Sequence, residues 1–513
     1  MKQIRLFSGL FTVGFWTLAS RILGFLREIL LTAFIGPGPV MDAFVAAFRL
    51  PNMFRRFFAE GAFNASFVPM FSKRLETDDN PVGFATQALS GLAFVLLILS
   101  AIAMIFMPGL VWLTAGGFVG DARFDLTVDY GRIVFPYILL MSLTALFSGV
   151  LNATGRFAAA AAAPVFLNIF VCISMAWATY SGGDVIRWLV WTVPAAGIAQ
   201  LALVWIATDR AGLRLRPTRP RWTPEMKRLV VVAIPAALAG GVMQINLLVG
   251  QQVASHFDKA VGWLYAADRL YQLPLGVVGI AVGIVLLPDL SRRLSAEDDT
   301  GAKHAFSRAG ELSLALTIPA AVALIVIPLP VVSVLFERGA TGADDSAAIA
   351  AAVAIYGLGL PAFVLQKVLQ PLFFAREDTK SPFRFAVWAM IVNAAVAVGL
   401  APFIGWIAPA IATTLAGWVM VWMLARGGYK MGDVARFDDR FRRRIWRVCL
   451  ASGAMGGVLW AGTLLLGPLL AMAGIRFLAL AALIALGMVS YALIGQGIGA
   501  FSLREFREAF RRR

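Results

Sequence analysis

The sequence predicts an all-α polytopic membrane protein with about fourteen transmembrane helices, and three observations predict that class. Of its 513 residues, 60% are hydrophobic and 14% are charged, and the mean hydropathy is +0.79. Soluble domains are only about 45–50% apolar and about 25% charged. Long unbroken apolar runs such as Ala85–Pro108 lack the alternation of a barrel strand. Spans of about 20–25 residues with short loops divide this length into about fourteen helices.

The apolar runs place the individual spans along the chain. The first twenty residues have the basic start and short apolar core of a signal peptide. Apolar character resumes at once through Ile22–Ile35, however, which favours one longer first helix. The predicted spans are approximately 8–35, 41–71, 85–111, 130–152, 159–181, 185–207, 228–254, 261–290, 305–335, 346–374, 383–401, 405–425, 446–470 and 475–499.

The distribution of positive charge predicts the orientation. The net charge is +16, which in a soluble protein would suggest a nucleic-acid partner. Here the excess lies at both ends and in alternate loops, so we expect no nucleic-acid partner. The opposite loops hold only scattered cations, namely Arg123, Arg187, Lys259, Arg338 and Arg476. The positive-inside rule therefore places both termini in the cytoplasm, which requires an even number of spans.

An internal repeat predicts two lobes. AAFRLPN (Ala46–Asn52) echoes AADRLYQ (Ala266–Gln272), and FVPMFSKRL (Phe67–Leu75) echoes LLPDLSRRL (Leu286–Leu294), at an offset of about 220 residues. Six spans separate the copies, so two six-helix lobes are related by an axis along the membrane normal. The predicted parts are an N-terminal lobe at 1–207, a basic connector at 208–227, a C-terminal lobe at 228–425, a basic loop at 426–445, and two further helices with a basic tail at 446–513.

The first two spans are unusually charged. They carry Arg21, Arg27, Glu28, Asp42, Arg49, Arg55, Arg56 and Glu60. Each charge at bilayer depth costs about 2.5–3.5 kcal/mol on insertion scales. So many charges in consecutive spans predict a water-filled, positively biased cavity between helices that takes an anionic substrate.

Residues that could support catalysis are sparse. The two cysteines, Cys172 and Cys449, lie in apolar runs, and the two histidines lie in predicted loops on opposite sides. The acidic pairs at 78–79, 298–299 and 344–345 fall in predicted loops without metal-ligand spacing, so we interpret them as solvated loop charges. We therefore expect no catalytic residues, no metal and no cofactor.

Several motifs resemble one known family. SRILGFLRE (Ser20–Glu28), DAFVAAFRLPNMFRRFFAEGAFNASFVP (Asp42–Pro69), FPYILL (Phe135–Leu140), YAADRLYQLPLGV (Tyr265–Val277) and KVLQPLFFAREDTKSP (Lys367–Pro382) are similar to the MurJ (MviN) lipid II flippases. That family belongs to the multidrug/oligosaccharidyl-lipid/polysaccharide exporter superfamily. The resemblance spans essentially the whole chain, although the last two spans match only in hydrophobicity and length.

The resemblance implies a fold and a function. It implies fourteen helices, two six-helix lobes around a central cavity, and two C-terminal helices that form a groove for the lipid tail. It implies export of the undecaprenyl-pyrophosphate-linked peptidoglycan precursor across the bacterial inner membrane. We further expect a monomer whose other partners are membrane lipids and the cell-wall synthesis machinery. Coupling to the membrane potential or to a monovalent cation is left open.

The resemblance also assigns roles to individual residues. The family's essential cavity arginines fall on Arg21, Arg27, Arg55 and Arg269, which would bind the substrate pyrophosphate. Asp42 and Asp268 match acidic positions tied to function or gating. The remaining gating or supporting candidates are Ser20, Glu28, Arg49, Glu60 and Lys367.

Structural explanations compete with these roles. Arg21, Gly24 and Glu28 share one helical face, so Arg21–Glu28 or Arg27–Asp42 could be a structural ion pair. Pro51 is expected to interrupt the second helix before Arg55. Asp268–Arg269 could be a local charge pair, and Arg56 could pair with Glu60.

Three other functions remain compatible with the pattern. A polysaccharide-repeat or drug exporter of the same superfamily would keep the fold but lack the LPN-x-x-RR-x-x-AEGAF segment. A membrane transferase or pyrophosphatase would need a catalytic constellation. A non-transporting cell-wall scaffold would need no cavity arginines. For a flippase, we expect alternating access by rocking of the lobes about a fixed site.

Overall fold

The structure is a computed structural model, and in the residues it describes every regular element is a helix. It describes residues 2–55, 62–77, 79–472 and 474–501, but not the side-chain surroundings of 2–11, 55, 62–65, 234–243, 245 and 277–285. The helices are α1 Lys2–Phe34, α2 Pro39–Arg55, α3 Ala62–Thr77, α4 Pro81–Ile105, α5 Met107–Ala115, α6 Ala122–Val134, α7 Tyr137–Ala153, α8 Ala158–Tyr180, α9 Val185–Arg210, α10 Pro224–Ala254, α11 Ala260–Ser295, α12 Asp299–Val326, α13 Pro328–Phe336, α14 Ala343–Phe374, α15 Lys380–Ile404, α16 Ala408–Tyr429, α17 Asp439–Ala471 and α18 Arg476–Gly497.

The lengths of these helices confirm a polytopic membrane protein. Nine stretches within the described ranges are long and apolar enough to cross a bilayer. One of them, Lys380–Tyr429, has 50 residues and contains two helices, α15 and α16, separated by a 3-10 turn at Gly405–Ile407. The total of fourteen spans and the arrangement of two lobes around a cavity remain predictions.

The chain divides into two compact units, Met1–Gly262 and Trp263–Arg513. In the first unit, α1 packs along α8, α8 along α9, and α7 along α9. Its core is aromatic where α3 meets α4, since Phe67 stacks on Phe71 and on Phe84 with ring centroids 5.6 Å apart. A turn rich in Gly and Pro joins α1 to α2, and Gly36 adopts a φ of 66° there, which favours glycine. The predicted lobe bounds remain a prediction.

In the second unit, α14 packs against α12 and α16, and α17 packs against α12 and α18. A small core joins the C-terminal pair α17 and α18 to this body, because Met455, Leu459 and Leu483 pack around Ile327 together with Val322. The two helices that follow the repeat are therefore packed onto the second unit rather than tethered to it.

Ion pairs fasten the beginning of α17. Glu311 on α12 accepts a hydrogen bond of 2.6 Å from Arg444, and Arg308 is paired with both Glu311 and Asp438. Beside them, the rings of Phe437 and Phe441 stack 3.9 Å apart. The basic loop predicted at 426–445 thus contains a structural network as well as solvated charge.

The interpretation of the acidic pairs as solvated charges was wrong for Asp345, whereas the side chain of Asp298 is 41% exposed and Asp299 is exposed. Asp298 is the N-cap of α12 and accepts a hydrogen bond of 2.8 Å from the backbone N–H of Gly301. Asp345, in the first turn of α14, is only 6% exposed and accepts a hydrogen bond of 3.0 Å from Trp263 Nε1. Carboxylates are favoured at helix N-termini because they accept the free N–H groups of the first turn.

The C-terminal end of α10 docks on the turn at Gly116–Phe118. The backbone N–H of Gly116 donates to Gln252 at 2.7 Å, and that of Gly117 donates to Ser255 at 3.0 Å. A Cβ added to Gly117 would lie 2.4 Å from the backbone nitrogen of His256. Only glycine permits this approach of the two backbones.

Replacing Gly117 by alanine should therefore loosen this docking. The added carbon meets backbone atoms, which cannot rotate away, so we expect a loss of about 1–3 kcal/mol. Thermal unfolding of the purified protein in detergent measures it. Gly109→Ala in α5 is the matched control, since nothing lies within 4 Å of its new carbon. Equal Tm values for the two variants would contradict the packing described here.

Candidate functional site

The charged part of α1 is attached to α8 through one asparagine. Arg27 donates a hydrogen bond of 3.0 Å to Asn168 Oδ1 and one of 2.5 Å to Glu28 Oε1. The Arg27 side chain is 17% exposed and that of Glu28 is 6% exposed. The guanidinium is thus held from two sides and keeps a small exposed area, which suits a fixed anion-binding group.

Asn168 bridges the two helices with both ends of its amide. Asn168 Nδ2 donates back to the backbone oxygen of Ser20 at 3.0 Å. A Cβ on Gly24 would lie 3.5 Å from the same nitrogen, which is an ordinary van der Waals distance, so an alanine would also fit between the two helices. Ser20 contacts α8 through its backbone oxygen.

Sequence reasoning missed Asn168. A signal was present, because Asn168 is the only amide side chain in the apolar helix Ala158–Tyr180. A lone polar group at bilayer depth is costly unless another polar group pairs with it. The charged spans α1 and α2 were its candidate partners, and the structure pairs it with α1.

The two structural ion pairs considered for α1, Arg21–Glu28 and Arg27–Asp42, are not formed. Glu28 is paired with Arg27 rather than Arg21. Asp42 is paired with Arg123 rather than Arg27. Arg21 is exposed, and within the described ranges it has no hydrogen bond or ion pair. Arg21 is therefore available to a ligand, whereas Arg27 is oriented by protein groups.

A second cluster surrounds Asp42, which is fully buried. Its Oδ1 accepts a hydrogen bond of 2.8 Å from the backbone N–H of Gly262, and its Oδ2 lies 3.5 Å from a nitrogen of Arg123. Gly262 is the position that the repeat offset aligns with Asp42. Arg123 also pairs with Asp121 at 2.6 Å and with Asp258 at 3.2 Å. We call these five residues the Arg123 network.

The Arg123 network joins three separate stretches of the first unit. It links the start of α2, the start of α6 and the loop from α10 to α11. The backbone N–H and the guanidinium of Arg123 hold the pKa of Asp121 below its usual range. The ring of Phe118 lies 4.7 Å from the guanidinium. Arg123 was interpreted from the sequence as a scattered loop cation, yet it is only 5% exposed.

The second half of α2 corrects one expectation. Pro51 does not interrupt the helix, because α2 continues through it to Arg55. Membrane helices tolerate proline where neighbouring groups compensate for the missing hydrogen bond. Arg49 is half-buried in this helix. The side chain of Arg55 and the whole of Arg56 and Glu60 lie outside the described residues.

In the second unit, α11 carries the other predicted charges. The Arg269 guanidinium lies 4.5 Å from the centroid of the Tyr265 ring, which is a cation–π contact. Asp268 accepts a hydrogen bond from Gln272, one turn further along α11. Asp268 and Arg269 are both half-buried. In this part of α11, an oriented cation thus follows a hydrogen-bonded carboxylate in the chain.

Aromatic packing fixes α11 against α14. The centroid of the Tyr271 ring lies 4.9 Å from that of Tyr356 and 5.6 Å from that of Phe363. Lys367, further along α14, is exposed and has no hydrogen bond or ion pair with any residue whose side chain is described. Its neighbour Gln366 instead donates to the backbone of Gly417 at 3.0 Å. Structural packing therefore does not account for Lys367.

Each unit supplies an oriented guanidinium beside a carboxylate. In the first unit these are Arg27 and Glu28, and in the second they are Arg269 and Asp268. Two guanidiniums can each present parallel donors to phosphate oxygens. That the two groups meet at one site remains a prediction.

Comparisons with known proteins identify relatives over nearly the whole length. A family model described as "Lipid II flippase MurJ" matches residues 31–484. A "Probable lipid II flippase MurJ" of Rhizobium tropici is 47% identical over 455 residues, which cover 87% of this chain and 85% of that protein. One of Rhizobium meliloti (strain 1021) is 45% identical over 511 residues, covering 98% and 95%.

Solved structures share the fold. "Lipid II flippase MurJ, inward closed conformation" superposes with a TM-score of 0.78 at 23% identity, covering 94% of this chain and 98% of that one. An inward-facing MATE family multidrug transporter of the MOP superfamily follows with a TM-score of 0.67 at 14% identity, covering 81% and 95%. At these identities the likeness establishes the fold and nothing further.

Proposed function

This chain belongs to the MurJ family of lipid II flippases, and from that membership we propose that it exports lipid II, the undecaprenyl-pyrophosphate-linked peptidoglycan precursor, by alternating access. The observation that carries this function is the family match over residues 31–484, together with relatives 45–47% identical along most of the chain. Members of this family are transporters and not enzymes. We favour this function over drug export. The likeness to a MATE drug transporter, at 14% identity, extends to the fold alone.

Arg21, Arg27, Arg55 and Arg269 are proposed to bind the pyrophosphate of the substrate. Guanidinium groups remain charged at every physiological pH and match two phosphate oxygens at once. The rigid attachment of Arg27 to Asn168 and of Arg269 to Tyr265 supports this assignment. Pre-orientation lowers the entropy that binding would otherwise cost.

The supporting residues are assigned different tasks. Glu28 and Asp268 balance the neighbouring arginines, so that the empty site is not excessively positive. Ser20 holds Asn168, and Asp42 closes the Arg123 network. We propose three further gating or supporting residues, which contact the headgroup or the charged side chains around it. They are Arg49, Glu60 and Lys367. A ligand moves the equilibrium between two states only through different contacts in each state.

The undecaprenyl tail is proposed to follow α17 and α18. Leu464, Leu465 and Leu478 on these helices are all well exposed, the last at 71%. Exposed apolar side chains of this kind suit a polyprenyl chain or surrounding lipid. The two helices are held to the second unit by the core around Met455, so the outer face stays available.

The cellular setting follows from charge and family. We propose an inner-membrane protein with both termini in the cytoplasm, acting as a monomer alongside the cell-wall synthesis machinery. A positively charged site also feels the membrane potential, at about 2.3 kcal/mol per charge per 100 mV. Coupling to that potential or to a monovalent cation is proposed as the drive.

Depletion of the protein in its host tests the function. Lipid II should accumulate in the cytoplasmic leaflet within a few generations, because its export from that side would stop. The measurement is the fraction of labelled lipid II that an externally added, membrane-impermeant reagent can reach. Complementation by Arg187→Gln, an exposed arginine outside the proposed site, should restore that fraction. Normal export during depletion would favour the non-transporting scaffold instead.

A further inference from the structure

Two arginines in the second unit lie together where α13 ends and α18 begins. The guanidinium carbon of Arg338 lies 4.9 Å from the centroid of the Phe477 ring, and that of Arg476 lies 5.8 Å from it. Arg338 donates to the backbone oxygen of Val334 at 2.5 Å, and Arg476 donates to that of Glu337 at 3.1 Å. Both cations thus contact the backbone at residues 334–337 and the ring of Phe477.

No residue that the structure describes neutralises either cation. Within the described ranges, neither Arg338 nor Arg476 forms an ion pair, although Glu337 is next to Arg338 in the chain. The Nε atom of each is buried and has no hydrogen-bond partner. Each guanidinium has five N–H donors, so most of this donor capacity is unused.

The proximity of two like charges is itself unfavourable. Burial first, and then the charge of Arg476, lower the pKa of Arg338. Buried donors without acceptors add a further cost, and native proteins rarely leave such groups unsatisfied. An anion with at least two acceptor oxygens would remove both costs at once.

The surroundings indicate the form of this anion. Phe477, Leu478, Ile475 and Met472 at the same helix ends are all exposed and apolar, Met472 at 53%. The predicted topology places these ends at the external face of the membrane, opposite the basic loops. A free ion would gain nothing from the apolar neighbours, whereas a lipid would cover them with its acyl chains.

We propose that Arg338 and Arg476 form a binding site for the phosphate of an anionic membrane lipid such as phosphatidylglycerol. The two non-bridging oxygens of its phosphodiester accept from the two guanidiniums, and the acyl chains lie along the start of α18. The site lies in the second unit, on a different part of the chain from the proposed cargo arginines. It requires only that the chain spans a membrane, and it does not depend on what the protein transports.

A short-chain lipid tests this site in the full-length protein. We expect dihexanoyl phosphatidylglycerol to bind the detergent-purified protein at one saturable site in calorimetry. The R338Q/R476Q variant should bind it at least tenfold more weakly, whereas R187Q should bind as the natural protein does. Dihexanoyl phosphatidylcholine, which carries no net charge, should bind at least tenfold more weakly than phosphatidylglycerol. Unchanged binding to R338Q/R476Q would overturn the proposal.

Two further measurements separate the alternatives. Inorganic phosphate at an equal concentration should not displace the lipid, and full displacement would mean a site for free anions rather than lipid. The increase in Tm on adding the lipid should vanish in R338Q/R476Q. Because this is a difference with and without lipid, it remains informative if the substitutions lower the basal Tm. If the arginines only capped α13, the basal Tm would fall and the lipid-dependent increase would persist.

Discussion

Replacing Arg27 by glutamine is expected to reduce lipid II export by at least about 100-fold, to a level that cannot support growth. The substitution removes the planar donor pair that matches phosphate oxygens. A hydrogen bond to a charged group contributes about 1.5–3 kcal/mol, and losing two of them costs about 3–6 kcal/mol. Each 1.4 kcal/mol corresponds to about a tenfold change in affinity. The measurement is the protection of labelled lipid II in vesicles that contain the purified variant.

Matched variants identify the cause of the loss. Arg27→Lys keeps the charge but not the paired donors, so we expect intermediate export. Asn168→Ala leaves Arg27 charged but removes its 3.0 Å partner, and it should also weaken export without abolishing it. Arg187→Gln should export normally. If Arg27→Gln transported lipid II at the normal rate, Arg27 would be a structural residue only.

Binding of labelled lipid II to the purified variants in detergent tests whether both units serve one site. Arg269→Gln should reduce lipid II binding by a similar factor, since Arg269 is the oriented cation of the second unit. Groups that hold one ligand together show non-additive losses. The double variant should therefore bind little worse than either single variant. Fully additive losses would place the two arginines at independent sites.

Replacing Arg123 by alanine is expected to destabilise the first unit by about 3–5 kcal/mol, because it leaves a buried carboxylate without its partner. Asp42 is fully buried and has a single cationic partner in the network, Arg123 at 3.5 Å. The loss should appear as a lower Tm and earlier proteolysis of the loop at residues 255–260. An unchanged Tm would mean that Asp42 is stabilised by Gly262 alone.

A neutral substitution at Asp42 provides the control. Asp42→Asn keeps an oxygen that can accept from the Gly262 N–H, but the amide carries no charge that needs Arg123. The D42N/R123A double variant should therefore recover part of the stability lost in R123A. Breaking one half of a buried pair costs more than removing both halves. A double variant less stable than R123A would show that the two residues act independently.

Three residues differ in how far local sequence rules determine their contacts. Asn168 could have been predicted, since a lone amide in an apolar helix requires a polar partner. The continuation of α2 through Pro51 could not, because local rules end a helix at proline and only packing compensates for it. The burial of Asp345 could not be predicted either, because Trp263, its partner, is 82 residues away in the chain.

The sequence by itself determined that this protein spans a membrane as a bundle of helices, and it identified the family and the charged segments. Hydrophobicity, charge and motif identity are properties of the residues, so they can be read without coordinates. Only the tertiary structure decided which groups the charged side chains contact. Arg27 is bound by Asn168 and Glu28, and Arg123 is bound by Asp42. Pairing depends on where helices that are distant in the chain come into contact. The strength of each pair depends on how deeply that contact buries the two groups.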